Sequence, residues 1–442
     1  MKILAYWSNR IMERYLPDPY VFVAILTLCV FALGVALTES SPLQMVTYWG
    51  DGFWGLLSFT MQMVVVLVAG YVLAISPVFK RILSKLAGLP KSPGVAILLV
   101  SVIGLLACWI NWGFGLVIGA LFAKEIAKKL PSVDYRLLIA SAYSGMIVWH
   151  GGLAGSIPLS IATAGHPFAG VMGVVPTTET LFSTYNIVIV VLLFMTVPIL
   201  NYLMLPKPED TFSIDPKLLQ DDEQFAVEVS NQEGAQTPAD KLENSIVLSM
   251  LIGALGLVYL AQYFFNKGFD LNLNIVNLIF FILGIIFHGT PKNFLAAIST
   301  AVKTAGGIIF QFPFYAGIMG MMVASGLAGV MSEWFVSIAT AETFPLLTFY
   351  AAGLVNFFVP SGGGQWAVQA PIMLEAAETL GVSYSKTAMA IAWGDAWTNM
   401  IQPFWALPAL AIAGLRAKDI MGYCVFVLLL SGLVISIGLY FF

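Results

Sequence analysis

The sequence predicts an all-α polytopic membrane protein built from two inverted repeats, with re-entrant helical hairpins, broken helices, about nine crossings and the N-terminus inside. Three observations support this fold class. The 442 residues are 59% hydrophobic and only 10% charged, which is more apolar than a soluble core can hide. The two halves of the chain align at one constant spacing. In both halves, glycine and proline interrupt apolar segments at matching positions.

Seven apolar segments are close to the roughly 20 residues that a bilayer-spanning helix requires. They lie at 20–38, 53–75, 182–205, 245–264, 269–287, 302–325 and 421–442. Two interrupted segments, the broken helices at 134–165 and 388–414, complete the predicted crossings. The first 17 residues have no long apolar core and no cleavage site, so an interfacial amphipathic helix is predicted over 1–17.

A shift of 249 positions without gaps aligns rare residues and turn-forming residues of the two halves. Matched pairs include Gln62 with Gln311, Gly104 with Gly353, Gly113 with Gly362, and Gly145 with Gly394. The first repeat then covers 18–205 and the second 267–442. Between them lie an acidic cytoplasmic linker at 206–243 and an extra crossing helix at 244–266. Because this helix adds one crossing between equivalent points, the second repeat should be inverted.

Lysine and arginine give an independent check on orientation, because they concentrate in cytoplasmic loops. With the N-terminus inside, all 20 lysines and arginines except Lys267 and Lys386 fall on the cytoplasmic side. The linker carries three lysines and ten acids, so it accounts for −7 and leaves +3 for the rest of a chain of net charge −4. This composition is typical of a solvated linker.

The topology predicts how two single-cysteine variants will be labelled. In a background without the native cysteines, Ser230→Cys should react with a membrane-impermeant maleimide only from the cytoplasmic side. A cysteine added after Phe442 should react only from outside. Labelling of both positions from one face would contradict the crossing count and the inversion.

Two further apolar stretches, 94–129 and 343–378, are cut in the middle by "NWGFG" and "PSGGGQ". Each arm has about 14–17 residues, near the lower limit for a span, so re-entrant hairpins are predicted. The broken helices are cut by "WHGGLAGSIP" and "GDAWTNMIQP". Irregular backbone at membrane depth is tolerated only inside protein or along a cavity. Inverted repeats bring such breaks together near the midplane, and the sequence therefore predicts one central site.

The chemistry of this site follows from its helix ends. Free N–H groups at half-helix N-termini attract an anion, and side-chain oxygens offer ligands to a small cation. The predicted substrate-binding residues are Asn111, Trp112, Gly113, Gly115, His150, Gly151, Gly152, Ser361, Gly362, Gly363, Gly364, Gln365, Thr398 and Asn399. Asp395, with Asn111 and Ser361, is predicted to bind a coupling ion or proton. The predicted cavity-lining residues are Gln62, Gln311, Gln369, Trp397 and Gln402.

Several of these assignments have alternatives. Asp395, placed by the sequence in the break of the second broken helix, could instead cap a helix. His150 could hydrogen-bond a substrate or be a satisfied buried histidine. Gln62 and Gln311 could line a cavity or bond between helices.

Other functional classes find little support. His150, Ser361 and Asp395 could be written as a hydrolase triad, but "PSGGG" is not a nucleophile elbow, and no catalytic site is predicted. Cys29, Cys108 and Cys424 lack ligand spacing, so they are expected to be small buried hydrophobes, and no metal site, cofactor or nucleic-acid partner is predicted. A channel is a further alternative to a carrier, and saturable counterflow in vesicles would distinguish the two.

Tryptophans concentrate in the interrupted segments: Trp109, Trp112, Trp149, Trp366, Trp393, Trp397 and Trp405. They could wall a short alkyl chain, or serve as interfacial or core aromatics. No arginine occurs in the four interruptions "NWGFG", "PSGGGQ", "WHGGLAGSIP" and "GDAWTNMIQP", which favours one carboxylate held by dipoles and amides over a dicarboxylate.

Long motifs of the chain resemble the bacterial short-chain fatty acid transporters. They are "DGFWGLLSFTMQM", "INWGFGLVIGA", "QFPFYAGI", "VPSGGGQWAVQAP", and "QPFWALPALAIAGL" followed by "DIMGYC". The resemblance implies an inner-membrane, ion-coupled carrier with elevator-like movement, commonly a homodimer, for monocarboxylates such as butyrate and acetoacetate. A carrier of C4-dicarboxylates or other small organic anions is the alternative, and Na⁺ and H⁺ both stay open as coupling ions.

Overall fold

The computed structural model describes residues 19–214 and 237–442, and every regular element in these ranges is helical. The predicted interfacial helix at 1–17 lies outside the described residues, as does the middle of the predicted linker, 215–236. The helices of the first half are α1 (Pro19–Leu37), α2 (Pro42–Gly52), α3 (Leu57–Ala74), α4 (Pro77–Leu86), α5 (Pro93–Ile110), α6 (Trp112–Lys129), α7 (Tyr135–Tyr143), α8 (Ser156–Ile161), α9 (Ala169–Met172) and α10 (Thr184–Leu203).

The helices of the second half follow in chain order. They are α11 (Pro238–Glu243), α12 (Ile246–Lys267), α13 (Leu273–His288), α14 (Pro291–Ala301), α15 (Gly306–Ala324), α16 (Leu327–Ile338), α17 (Phe344–Val355), α18 (Gly362–Leu380), α19 (Tyr384–Thr398), α20 (Pro403–Ala413) and α21 (Ala417–Phe441). Within the described ranges, seven helices are long and apolar enough to cross a membrane. The chain is an all-helical, multi-pass membrane protein.

The repeat is visible in how the helices pack. In the first half α3 packs against α6 and α13, and in the second half the equivalent α15 packs against α18 and α1. Similarly, α5 packs on the segment that follows α7, as α17 packs on α19. The equivalent helices α1 and α13 thus each pack against the other half of the chain. A pseudo-two-fold axis between the halves produces this pattern.

The hairpin arms differ from the expected length. α5 and α6 have 18 residues each, α17 has 12 and α18 has 19. In the first hairpin Asn111 alone separates the arms, so no helical residue is lost to the turn. In the second hairpin residues 356–361 form the turn and shorten α17. Because α5 by itself is long enough to cross a membrane, the re-entrant geometry stays a prediction.

Matched glycines let each broken helix cross the first arm of its hairpin. A Cβ on Gly145 would overlap the backbone of Gly104, and a Cβ on Gly394 would lie 2.9 Å from the backbone nitrogen of Gly353. Small residues at a crossing allow helix backbones to approach closely. These glycines therefore serve packing in both repeats.

Asp395 lies in the last turn of α19, not in the break, and this corrects the prediction from the sequence. α19 continues to Thr398, and only residues 399–402 separate it from α20. The segment "GDAWTNMIQP" suggested a wider break because Gly394, which serves helix packing, looked like a helix breaker.

The cysteines also depart in part from expectation. Cys108 and Cys424 are buried, whereas Cys29 is exposed on α1. Only 17% of the apolar helix α1 is buried, and Cys29 lies on its exposed side.

Candidate functional site

The first hairpin turns at Asn111, where α6 begins. The Asn111 Oδ1 accepts a hydrogen bond from the Phe114 N–H at 2.9 Å, while its Nδ2 is buried without a hydrogen-bond partner among the described residues. A Cβ on Gly113 would lie 3.0 Å from the backbone of Leu67 on α3. The first turn of α6 is therefore in backbone contact with α3.

The second hairpin presents a first turn made only of glycine. Ser361 caps α18 by accepting a hydrogen bond from the Gly364 N–H at 3.4 Å. Helix geometry leaves the N–H groups of Gly362 and Gly363 without intrahelical acceptors. They form the positive end of the α18 dipole, and all three glycines are buried.

Side chains, rather than backbone, enclose this glycine turn. A Cβ on Gly362 would lie 2.7 Å from the His150 Cε1, one on Gly363 would lie 2.7 Å from the Phe59 Cε1, and one on Gly364 would lie 2.5 Å from the Tyr315 Cε2. The first turn of α18 thus packs against an imidazole from the first repeat and against aromatic rings of α3 and α15.

A buried pair joins the two repeats at this point. The His150 Nε2 lies 3.1 Å from the Asp395 Oδ2, and both side chains are 0% exposed. The Asn399 Nδ2 donates a weaker hydrogen bond to the same carboxylate oxygen at 3.4 Å. The Trp149 ring packs against the His150 ring at a tilt of 37°, with ring centroids 3.7 Å apart. Asp395 therefore does not cap a helix, and His150 is held against it.

Asn356 is the residue of this network that the sequence analysis missed. Its Nδ2 lies 2.9 Å from the Asp395 carbonyl oxygen, 3.0 Å from the Thr398 Oγ1 and 2.7 Å from the Asn399 Oδ1. The Gln402 Nε2 donates to the Asn356 carbonyl oxygen at 3.0 Å. Asn356 thus ties the turn of the second hairpin to the break of the second broken helix.

The signal that could have identified Asn356 lies in the alignment of the two repeats. At the 249-residue shift, several polar residues of the second repeat are aligned with apolar residues of the first: Asn356 with Ala107, Gln365 with Leu116, Gln369 with Ala120, Asp395 with Met146, and Gln402 with Leu153. Symmetric packing of the two repeats does not by itself require polar residues at these positions in only one of them. The polar site is therefore built mainly by the second repeat, with His150 as the contribution of the first.

Replacement of Asn356 by alanine should weaken both stability and transport. The Asn356 Nδ2 has two hydrogens to donate, so two buried hydrogen bonds are lost, and at roughly 0.6 kcal/mol for each interhelical hydrogen bond in a membrane the loss is about 1 kcal/mol. Thermal unfolding in detergent and solute uptake would measure the two effects. Asn201→Ala is the matched control, because it removes a buried amide that bonds to Ser101 and Ser144. Equal uptake by the two variants would contradict a role for Asn356 beyond stability.

The remaining predicted glutamines divide between the network and the helix packing. Gln365 and Gln369 are buried, and the Gln365 Nε2 donates to the Gln369 Oε1 at 2.7 Å and to the Ala352 carbonyl at 2.8 Å. The Gln62 Nε2 donates to the Asn274 Oδ1 at 2.8 Å, and Gln62 also lines a cavity of about 120 Å³. The Gln311 Oε1 accepts from the hydroxyl of Tyr315 at 3.4 Å.

Trp397 was predicted to line a cavity, but its side chain packs against neighbouring helices. Its Nε1 donates to the Leu428 carbonyl oxygen on α21 at 2.8 Å, and its ring packs on Phe349. Two residues along a helix from Asp395, it lies on the opposite side of α19. Its contacts are therefore those of a packing residue.

The other predicted glycines lie at close approaches between elements. A Cβ on Gly115 would lie 2.5 Å from the Cys108 Cα, and one on Gly152 would lie 2.7 Å from the Trp109 Cα. A Cβ on Gly151 would lie 2.6 Å from the Trp393 ring. These positions bring the first break against the first hairpin and against α19.

Each hairpin borders a cavity. A cavity of about 320 Å³ lies beside the first hairpin tip, lined by Leu67, Tyr71, Gly113, Leu116, Val117 and Trp405 among others. The ring of Trp112 lies 5.2 Å from that of Trp405 and 5.6 Å from that of Trp149. A larger cavity of about 1080 Å³ lies between α15 and α18 and includes Phe168, which contacts Trp366.

Broken helices and helix ends gathered around a buried polar site, inside an apolar helical bundle, define the chain as a membrane transporter. The chain belongs to the short-chain fatty acid transporter family, since the model of the family described as "Short chain fatty acid transporter" matches residues 2–442. The resemblance read from the motifs is confirmed. The family consists of transporters, not enzymes.

Two relatives support this assignment, and one solved structure has a similar fold. A candidate short-chain fatty acid transporter of Escherichia coli (strain K12) is 48% identical over 436 residues, covering 99% of this chain and 98% of the relative. A candidate of the same description from Haemophilus influenzae is 47% identical, covering 98% of each. The crystal structure of the Alcanivorax borkumensis YdaH transporter is 17% identical, covers 96% of this chain and 97% of that one, and has a TM-score of 0.59. This last likeness shows the fold alone.

Proposed function

We propose that the protein is a secondary active carrier of short-chain monocarboxylates such as butyrate and acetoacetate, coupled to a cation. The observation that carries the proposal is the meeting of the glycine turn of α18 with the buried His150–Asp395 pair. One end of this site attracts an anion and the other holds a titratable charge, which are the two elements that coupled transport of a carboxylate requires.

The carboxylate would bind at the start of α18. The N–H groups of Gly362 and Gly363 have no intrahelical acceptors and carry the positive end of the dipole. His150 lies against the same turn. The four interruptions that form the site contain no arginine, which supports recognition of one carboxylate rather than two.

The alkyl chain would lie among aromatic and aliphatic side chains. The cavity beside the first hairpin tip has Leu116, Val117 and Trp405 in its wall, and Trp112 packs on Trp405. Pockets for small organic ligands are mostly apolar with a few placed polar groups. The short substrates named by the family suit a cavity of this kind.

The mechanism and setting extend the proposal. The polar site lies on the hairpins and the broken helices, and one cavity lies beside each hairpin. This arrangement supports alternating access, in which a unit that carries the hairpins moves as an elevator against the long helices. The two hairpins would be re-entrant. The carrier would act as a homodimer in the bacterial inner membrane, and the unequal distribution of lysine and arginine supports a cytoplasmic N-terminus.

Counterflow in proteoliposomes tests the function. Purified full-length protein would be reconstituted with unlabelled butyrate inside, and entry of external radiolabelled butyrate or acetoacetate measured against protein-free vesicles, because the undissociated acids also cross lipid. Saturable counterflow, competed by acetoacetate and not by succinate, is expected. Counterflow of succinate would favour the dicarboxylate alternative, and a linear, non-saturating flux would indicate a channel.

A further inference from the structure

The His150–Asp395 pair suggests which cation couples transport. We infer that this pair binds the coupling proton, so that one proton enters the site with each monocarboxylate. The inference rests on the proposed function, because it requires the carboxylate to bind at the first turn of α18. It adds the identity of the coupling ion and the groups that hold it.

The first argument is the isolation of the pair. Both side chains are 0% exposed, and within the described part of the chain Asp395 forms a salt bridge with no cation other than His150. Two buried tyrosines belong to the surroundings of the pair. Tyr315 on α15 packs against Gly364 of the glycine turn, and the Tyr143 hydroxyl on α7 donates to the Asn399 carbonyl oxygen at 2.7 Å. Neither supplies a positive charge.

The second argument is charge balance. An aspartate and an imidazolium share one proton between them and are neutral together. A bound monocarboxylate adds one negative charge inside the protein, where an uncompensated charge is costly. A second proton restores neutrality, leaving Asp395 as the acid, His150 as the imidazolium and the substrate as the anion. One proton is therefore taken up for each carboxylate bound, and no net charge crosses the membrane in the loaded form.

The third argument is the position of His150 relative to α18. The imidazole lies against Gly362, at the positive end of the helix dipole, which disfavours a charged ring while no anion is bound. A carboxylate at this turn reverses the local field and favours the imidazolium. Proton and substrate thus strengthen each other's binding, and by linkage the effect is reciprocal.

Unused hydrogen-bonding capacity within the pair completes the argument. The His150 Nδ1 and the Asp395 Oδ1 are both buried and have no hydrogen-bond partner among the described residues. Each can hold a proton without breaking the contact between the Nε2 and the Oδ2. A sodium ion would instead compete with the imidazole for Asp395, the only carboxylate among the described residues of this network.

Calorimetric titration of the detergent-solubilised full-length protein with butyrate tests the inference. Titrations at pH 8 in two buffers with different heats of ionisation report the number of protons taken up. About one proton per butyrate is expected, with the same affinity whether the salt is sodium or choline chloride. Butyrate binding that requires sodium and takes up no proton would overturn the inference while leaving the proposed function intact.

Matched histidine variants locate the proton. His150→Gln keeps a hydrogen bond to Asp395 but cannot hold a proton, so proton uptake should fall to near zero and affinity should fall at least roughly tenfold. His288→Gln is the control, because His288 is also buried and bonds to the Val72 carbonyl oxygen, away from the pair. Proton uptake retained in His150→Gln would overturn the assignment to the pair. Absence of both butyrate binding and counterflow in the parent protein would overturn the proposed function, and the inference with it.

Discussion

Asp395→Asn should abolish gradient-driven accumulation of butyrate while leaving exchange of substrate measurable. The substitution keeps the shape of the side chain and part of its hydrogen bonding but removes the charge. A charged side chain at the centre of a membrane helix costs about 2.5–3.5 kcal/mol on insertion scales, so its retention in α19 requires a compensating cation or proton. Exchange survives because it does not require the carrier to return empty.

Accumulation and exchange would be measured in the same vesicles, with protein-free vesicles as background. Asp134→Asn is the control for loss of a buried aspartate. Asp134 is 1% exposed and caps α7 through the Leu137 N–H at 2.9 Å, a role that asparagine also fills. If the Asp395 variant concentrates butyrate as well as the parent, the coupling site lies in the neutral oxygens around Asn111 and Ser361.

Gly363→Val should abolish uptake, with the protein still present in the membrane. A Cβ at this position would lie 2.7 Å from the Phe59 Cε1 and 3.1 Å from the Phe312 Cε1, so valine would crowd these rings and displace the turn that carries the free N–H groups of α18. Glycine is the residue that lets a ligand approach the backbone closely. Gly170→Val is the control, because no atom lies within 4 Å of a Cβ built there.

A double variant separates loss of ligand access from simple crowding. Gly363→Ala adds only the Cβ, and Phe59→Ala removes the ring that it would contact. If the glycine matters because of Phe59 alone, the double variant should transport like Phe59→Ala. If backbone access for the carboxylate matters, uptake should stay low in both backgrounds. Normal uptake by Gly363→Val would show that this turn does not approach substrate.

Much of the helix arrangement followed from local signals. Asn111 and Ser361 each begin a half-helix as its side-chain cap, and residues of this type before an apolar run predict a helix start. Three tryptophans of the interrupted segments, Trp112, Trp149 and Trp405, pack against one another, whereas the sequence left open whether they wall a cavity or belong to the core. Trp397 was predicted to line a cavity but bonds to α21, because composition cannot tell which side of a helix faces a neighbour and which faces a cavity.

The glycines show why the break in the second repeat was predicted to begin too early. Glycine ends a helix, lets two helices cross closely, or admits a ligand, and one sequence does not distinguish these uses. Gly394 allows the crossing with α17, so Asp395 remains helical. Gly363 lies in the first turn of α18, where its missing side chain makes room for the Phe59 and Phe312 rings.

The sequence by itself determined the membrane setting, the repeat and the residues at the helix ends, because these depend on composition, on spacing along the chain and on local capping. Only the tertiary structure decided that His150 of the first repeat meets Asp395 of the second, 245 positions away, and that Asn356 bonds to the Asp395 carbonyl oxygen and to Asn399. Such contacts depend on how helices that are distant in sequence dock. A pairing of side chains between repeats leaves no periodicity or local motif in either segment, so it becomes visible only when the helices are placed in space.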